Sequence, residues 1–264
     1  MSWINCKKSP FYYNTNITPN HIFFLYSFLG DSYNINNEEY IENLQKWALL
    51  LENTKWKISI LRRNYDLLDK IVKDHFNWFW ITYNKYPKNI QRCDTLRYML
   101  MYKYGGVYSD LDVLPNISIN TLLDKYHWAN IIFGVGRIKS DDKCKHTTKY
   151  EKIRNSVPEI PIRISNYFFI SRIPYHPIWI DILKLCSKRA DCKLTSQYGI
   201  IYTTGPDVVT TAVSNNRIKY SDIAIIPHKE FTKMYHHSCS GFNSKTSWRY
   251  RTKLPISSNG SKTI

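Results

Sequence analysis

Between Ile90 and Leu114 the chain leaves itself no room for a linker. The run from Ile90 to Tyr104 carries Cys93, Leu96, Leu100 and Tyr104 near one face at helical spacing, and Gly105-Gly106 supplies the stop. The β-favouring run Val107-Tyr-Ser-Asp-Leu-Asp-Val-Leu114 begins at once, and Pro115-Asn116 ends it. The same alternation continues on both sides. His21 to Phe28, Lys57 to Ile60, Asn130 to Val135, Ser165 to Ser171 and Ile223 to Pro227 read as strands. Glu38 to Leu51, Tyr65 to Phe76, Ile178 to Arg189 and, after a turn at Thr204, the stretch to Ser214 read as helices. The pattern predicts a mixed α/β sheet in one domain over residues 1–264, with a core of about 17–250 and a fraying polar tail from 256.

Composition narrows the class without choosing a function. With 43% hydrophobic and 22% charged residues the chain packs a core and is not a disordered or collagen-like sequence. Its longest apolar run, His21 to Leu29, falls short of the ~18–20 residues that cross a bilayer. The first residues lack the order of a secretory signal, so a cytoplasmic setting is the expectation. The six cysteines form no C-x-x-C pair, so they read as free thiols instead of a zinc or redox site. The formal charge of +16 favours polyanionic partners: nucleic acid, phosphorylated metabolites or an anionic membrane face. Because the basic residues are scattered in ones and twos, nucleic acid is the weaker of these readings.

The chemistry concentrates where the strand after Gly106 runs out. In open α/β sheets, ligands bind beyond the carboxyl ends of the strands, and Asp110 and Asp112 fall at such an end. In an extended segment residues i and i+2 point the same way, so these carboxylates repel unless a cation joins them. Mg²⁺ or Mn²⁺ suits that task, taking one or two carboxylates and completing its shell with water and phosphate oxygens. On the preceding helix Asp94 and Arg97 share a face at i,i+3. Such a pair alone reads equally well as a surface ion pair, but here helix and strand can bring all four side chains together.

The stretch Arg92-Cys-Asp-Thr-Leu-Arg-Tyr-Met-Leu-Met-Tyr-Lys-Tyr-Gly-Gly-Val-Tyr-Ser-Asp-Leu-Asp-Val113 resembles the D-x-L-R … Y-G-G-x-Y-x-D-x-D core of the family-32 glycosyltransferases. These include the yeast initiating α-1,6-mannosyltransferase and, more distantly, the glucosylating clostridial toxins. The likeness extends over roughly residues 17–248. Ile17-Thr-Pro-Asn-His-Ile-Phe-Phe24 is similar to the family's opening strand, with Phe24 where a base-stacking Trp is common. The segment from Asn166 to Pro177 and Thr204-Gly-Pro206 are similar to two further elements. His236-His237 followed by Ser247-Trp248 is similar to a closing element, at a wider spacing than the family's.

The resemblance implies a glycosyltransferase-A fold: one Rossmann-like domain with a mixed central sheet that holds a nucleotide-sugar and Mn²⁺ or Mg²⁺. Asp112 would bind the metal, Asp110 the metal or the sugar and ribose hydroxyls, and His237 would be a further metal or phosphate contact. Asp94 and Arg97 would hold the sugar ring. Phe24, Tyr108 and Asn166 would line the donor site, and Ser247 and Trp248 would lie on a loop between His236 and Lys253 that closes over the diphosphate. Phe24 and Tyr108 read equally as core aromatics, Asn166 as a cap and His237 as an exposed loop residue. The implied reaction is transfer of a hexose or N-acetylhexosamine, with retained configuration, to a glycan, glycolipid or protein. A UDP-sugar is the favoured donor and a GDP-sugar such as GDP-mannose the alternative. The competing readings are a basic nucleic-acid-binding protein and a non-catalytic relative that binds sugar nucleotide or glycan.

Overall fold

A computed structural model describes residues 20–26, 38–62, 65–138, 162–191 and 197–237. Its six-stranded sheet is built from β1 (His21–Tyr26), β2 (Lys57–Arg62), β3 (Gly106–Ser109), β5 (Ile131–Ile138), β6 (Ile162–Ser171) and β7 (Ile223–Ile226). They run in the order β2-β1-β3-β6-β5-β7. All pairings are parallel except those of β6, which is antiparallel to both β3 and β5. The carboxyl ends of five strands therefore open on one side, where β6 begins. A two-stranded sheet joins β4 (Val113–Pro115) to β8 (Tyr235–His237).

The apolar runs predict strands buried on both faces, and side-chain alternation divides them between two cores. On one side of the sheet lie Phe23, Leu25, Tyr108, Ile131, Phe133 and Phe169, covered by α2 (Tyr65–His75), α3 (Asn77–Lys85), α4 (Asn89–Tyr104), α6 (Pro177–Arg189) and α8 (Pro206–Asn215). On the other lie Ile22, Phe24, Val107, Ile132, Phe168 and Ile170, covered by α1 (Glu38–Leu51), α5 (Ile119–Lys125) and α9 (His228–Met234). The short α7 (Gln197–Thr203) leads into α8. Prolines at the first positions of α6 and α8 set the helical φ where no amide hydrogen bond is lost.

Gly105 and Gly106 make the reversal after α4. Both hold positive φ, 66° and 90°, and a Cβ on Gly106 would stand 2.4 Å from the His21 carbonyl oxygen. Only glycine lets β3 lie this close to β1 directly after the helix.

Two expectations are corrected. Residues 107–114 do not form one strand: β3 stops at Ser109, residues 110–112 turn, and β4 leaves the main sheet to pair with β8. His236 and His237 belong to that ladder, opposite Leu114 and Val113, so the expected loop begins no earlier than residue 238. Ser247 and Trp248 lie outside the described residues.

Candidate active site

The Asp110-Leu-Asp112 turn is fixed from several directions. The Asp110 amide donates to the Tyr167 carbonyl at 2.8 Å, and the Val113 amide reaches back to the Asp110 carbonyl at 3.2 Å. Helix α1 clasps the turn from the other side. Asn43 Nδ2 donates to the Leu111 carbonyl at 2.9 Å and Trp47 Nε1 to the Val113 carbonyl at 3.2 Å. Asn43 and Trp47 are four apart and thus share one helix face. With Leu111 and Val113 buried on that side, the two aspartates point away from the core.

Beneath the turn lies a closed ionic cluster. Arg97 Nη2 is 3.2 Å from Asp94 Oδ1, and Arg97 Nη1 is 3.2 Å from Asp110 Oδ1. The guanidinium also donates to the Asn166 carbonyl and lies 4.6 Å from the Tyr108 ring centroid. Asp94 accepts from Asn166 Nδ2 at 3.0 Å and from Thr204 Oγ1 at 2.9 Å. The Tyr108 hydroxyl donates to Asp110 Oδ1 at 2.6 Å. The side chains of Asp94 and Arg97 are each only 4% exposed. Burial pushes the Asp94 carboxyl up to about 7, although Arg97, Thr204 and Asn166 all favour its charged form.

Above this cluster the site opens. Asp110, Asp112 and His237 are 29%, 28% and 21% exposed, and each offers one ligand atom within 4.8 Å of the others. His237 Nε2 is 3.2 Å from Asp112 Oδ2, and its ring stacks on Tyr167 at 4.4 Å. Arg97 and Tyr108 both hold Oδ1 of Asp110, which leaves Oδ2 for a ligand. Desolvation and the adjacent Asp112 raise the Asp110 pKa against the opposing pull of Arg97. Two carboxylates and one imidazole, partly open to solvent, fit a hard to borderline divalent ion such as Mn²⁺ or Mg²⁺ that keeps positions for water and phosphate.

The structure thus brings Asp94, Arg97, Tyr108, Asp110, Asp112, Asn166 and His237 together, though not all in the expected roles. Phe24 is fully buried and packs edge-on against Trp47 at 5.9 Å, so it presents no face to a base. Tyr108, 1% exposed, is covered by Arg97 and by Phe169, whose ring centroid is 5.2 Å away. It acts on the site through its hydroxyl and does not line an open pocket. Asp94 and Arg97 stand behind Asp110, each with a side chain only 4% exposed. The two carboxylates converge through a turn, not through the i,i+2 rule of a strand. Asn43, Trp47, Tyr167 and Thr204 are further parts of the site. Of these Thr204, in its Thr-Gly-Pro context, and Tyr167, next to Asn166, lie in segments that carry a signal in the sequence; Asn43 and Trp47 do not.

Residues 34–129 match the family model described as a glycosyltransferase sugar-binding region containing a DXD motif. The chain is 42% identical over 59 residues to inositol phosphoceramide mannosyltransferase 3 of Schizosaccharomyces pombe, covering 22% of this chain and 17% of that protein. It is 27% identical over 135 residues to inositol phosphoceramide mannosyltransferase 2 of the same yeast, covering 51% and 31%. The chain thus spans less than a third of the length of these curated relatives. Among solved structures, mouse xyloside xylosyltransferase 1 aligns with a TM-score of 0.45 at 11% identity, covering 78% of this chain and 84% of that one. The PaToxG glycosyltransferase aligns with a TM-score of 0.44 at 14% identity, covering 75% and 69%. The stretch 34–129, matched to the glycosyltransferase sugar-binding region containing a DXD motif, holds the Asp94–Arg97 pair and both aspartates of the turn.

Proposed function

We propose that the chain is a metal-dependent, retaining glycosyltransferase of glycosyltransferase-A architecture that moves a hexose from a nucleotide-sugar to a glycan, lipid or protein acceptor. One observation carries the reading. Asp110, Asp112 and His237 converge to within 4.8 Å at the open end of β3, directly over a buried Asp94–Arg97 pair that fixes Asp110. The mannosyltransferase names of the yeast relatives favour mannose as the sugar, and so GDP-mannose over a UDP-sugar.

The chain's own residues perform three tasks in this reading. Asp112, His237 and the outward oxygen of Asp110 bind the ion, which when present supplies Lewis-acid stabilisation to the departing diphosphate. Arg97, locked between two carboxylates and against Tyr108, keeps Asp110 in one rotamer, so its ligand oxygen is placed before the donor arrives. Asp94 has both oxygens occupied by Arg97, Asn166 and Thr204 and is not free to attack the anomeric carbon. Asp110 holds Arg97 and Tyr108 through Oδ1, and its Oδ2 would be taken by the ion. That supports attack of the acceptor hydroxyl from the face the diphosphate leaves, with a phosphate oxygen taking its proton.

A donor-hydrolysis screen with GDP- and UDP-sugars, with and without Mn²⁺, tests the proposal. The expected result is Mn²⁺-dependent release from one donor, GDP-mannose foremost, abolished by Asp112→Ala. Release that ignores the metal, or that survives Asp112→Ala, would contradict it.

A further inference from the structure

One face of the molecule, away from the Asp-Leu-Asp turn, exposes residues that a water-facing surface has no need to expose. Helix α3 packs Phe79 and Tyr83 into the core and bonds to α6 through Thr82 Oγ1 and Ser187 Oγ at 3.1 Å. Its other face carries Trp78, 49% exposed, and Ile81, 68% exposed, at i,i+3, followed at i+7 by the exposed Lys85. In the turn after β6, Tyr175 is 55% exposed and Ile173 40%. A run of edge-on rings connects the two places: Tyr175 against Tyr102 at 5.4 Å, and Tyr102 against Phe76 at 5.8 Å, at the residue that starts α3. Tyr175 holds a positive φ of 61°, which an aromatic residue rarely adopts, and its ring stays in solvent nonetheless. Among the described residues the other large exposed apolar side chains stand singly, Leu49 on α1 and Trp128 and Ile218 in turns.

The rim of this face is basic. Lys73 lies over the Trp80 ring at 4.6 Å and Lys103 over the Tyr175 ring at 5.8 Å. Exposed Lys184 and Lys188 flank Ser187 on the neighbouring α6. Against them stand only the exposed Asp74 and Asp191 on the described parts of α2 and the end of α6. Tryptophan, tyrosine and isoleucine rimmed by lysine, on a chain of formal charge +16, make up the chemistry of a helix lying in a bilayer interface. Lysine stems can lie along the apolar crest while their ammonium groups reach lipid phosphates and carboxylates.

We propose that the face formed by α3, the 173–175 turn and the adjoining lysines docks the protein peripherally on an anionic membrane surface, with Trp78 and Ile81 entering the headgroup region. The proposal stands apart from the transferase reading, because none of these residues belongs to the site around Asp110. Co-sedimentation of the full chain with phosphatidylcholine vesicles, with and without about 30% phosphatidylserine at about 0.15 M salt, tests it. The expected result is binding to the phosphatidylserine vesicles alone, weakened about tenfold or more in Trp78→Ser/Ile81→Ser at an unchanged melting temperature. Lys73→Gln/Lys85→Gln should weaken it too, and should also flatten its salt dependence. Equal binding by the Trp78/Ile81 variant and the parent would overturn the proposal, as would no binding by the parent. A dimer that forms without vesicles and is lost in the variant would assign the face to a second copy and equally overturn it.

Discussion

The two halves of the site are built in opposite ways. Asp94 and Arg97 are sealed, with both Asp94 oxygens and the two terminal Arg97 nitrogens paired to each other, Asp110, Asn166 and Thr204, and only Arg97 Nε buried without a hydrogen bond. Asp112 and His237 touch each other at 3.2 Å and are partly open to solvent, one on a turn and one on a three-residue strand where its ring also stacks on Tyr167 at 4.4 Å. Charge that is buried and satisfied contributes geometry, while charge that is left open contributes binding. Asp110 belongs to both halves, one oxygen in each, and so transmits the rigidity of the sealed half to the ligand position of the open one.

If this division is right, damage to the sealed half should appear as lost stability. Arg97→Ala leaves Asp94 buried without its partner and should cost about 3 kcal/mol in urea denaturation. That is the low end for a broken buried pair, because Asp94 can take up a proton instead. Thr204→Val removes one hydrogen bond to the buried carboxylate while keeping the shape of the side chain, and should cost about 1.5–3 kcal/mol. A loss below ~0.5 kcal/mol in both variants would show that the sealed half is not what holds this end of the sheet.

A smaller effect follows from the Asp94 proton. Its folded pKa is pushed up to about 7 from an ordinary 3.8, so between those values the native state keeps a proton that the unfolded chain has lost. Stability from this group therefore falls as pH rises from about 4 to about 7. Asp94→Asn does not titrate, so the melting temperature of the parent relative to this variant should decline across that window. A flat or rising difference would mean that Arg97 and the two hydrogen-bond donors keep the carboxyl ionised.

Much of the sealed half is legible in the sequence because its information is local. The i,i+3 spacing of Asp94 and Arg97, the Gly105-Gly106 reversal and the two aspartates lie within one helix-turn-strand unit. The boundaries of α1 at Glu38–Leu51 likewise follow from periodicity. What is not legible comes from afar or from elements too short to show a period. Asn43 and Trp47 reach the turn from a helix nearly seventy residues earlier in the chain, through side chains that look like ordinary positions of an amphipathic face. The strand Tyr235–His237 is three residues long, and only its pairing with Val113–Pro115 places His237 beside Asp112. Phe24 shows a conflict that the sequence already contains: an unbroken apolar run between β2 and β3 has no open face, so a ring within it cannot serve a ligand.

If the open half is a divalent-cation site, its residues bind the ion and are dispensable for folding. Titration of Mn²⁺ into the parent protein, Asp112→Asn and His237→Ala, followed by calorimetry with melting temperatures recorded beside it, tests this directly. One ion bound per chain, with affinity at least tenfold weaker in either variant and melting temperatures of the metal-free proteins unchanged, is the predicted result. Equal Mn²⁺ binding in all three proteins would contradict it.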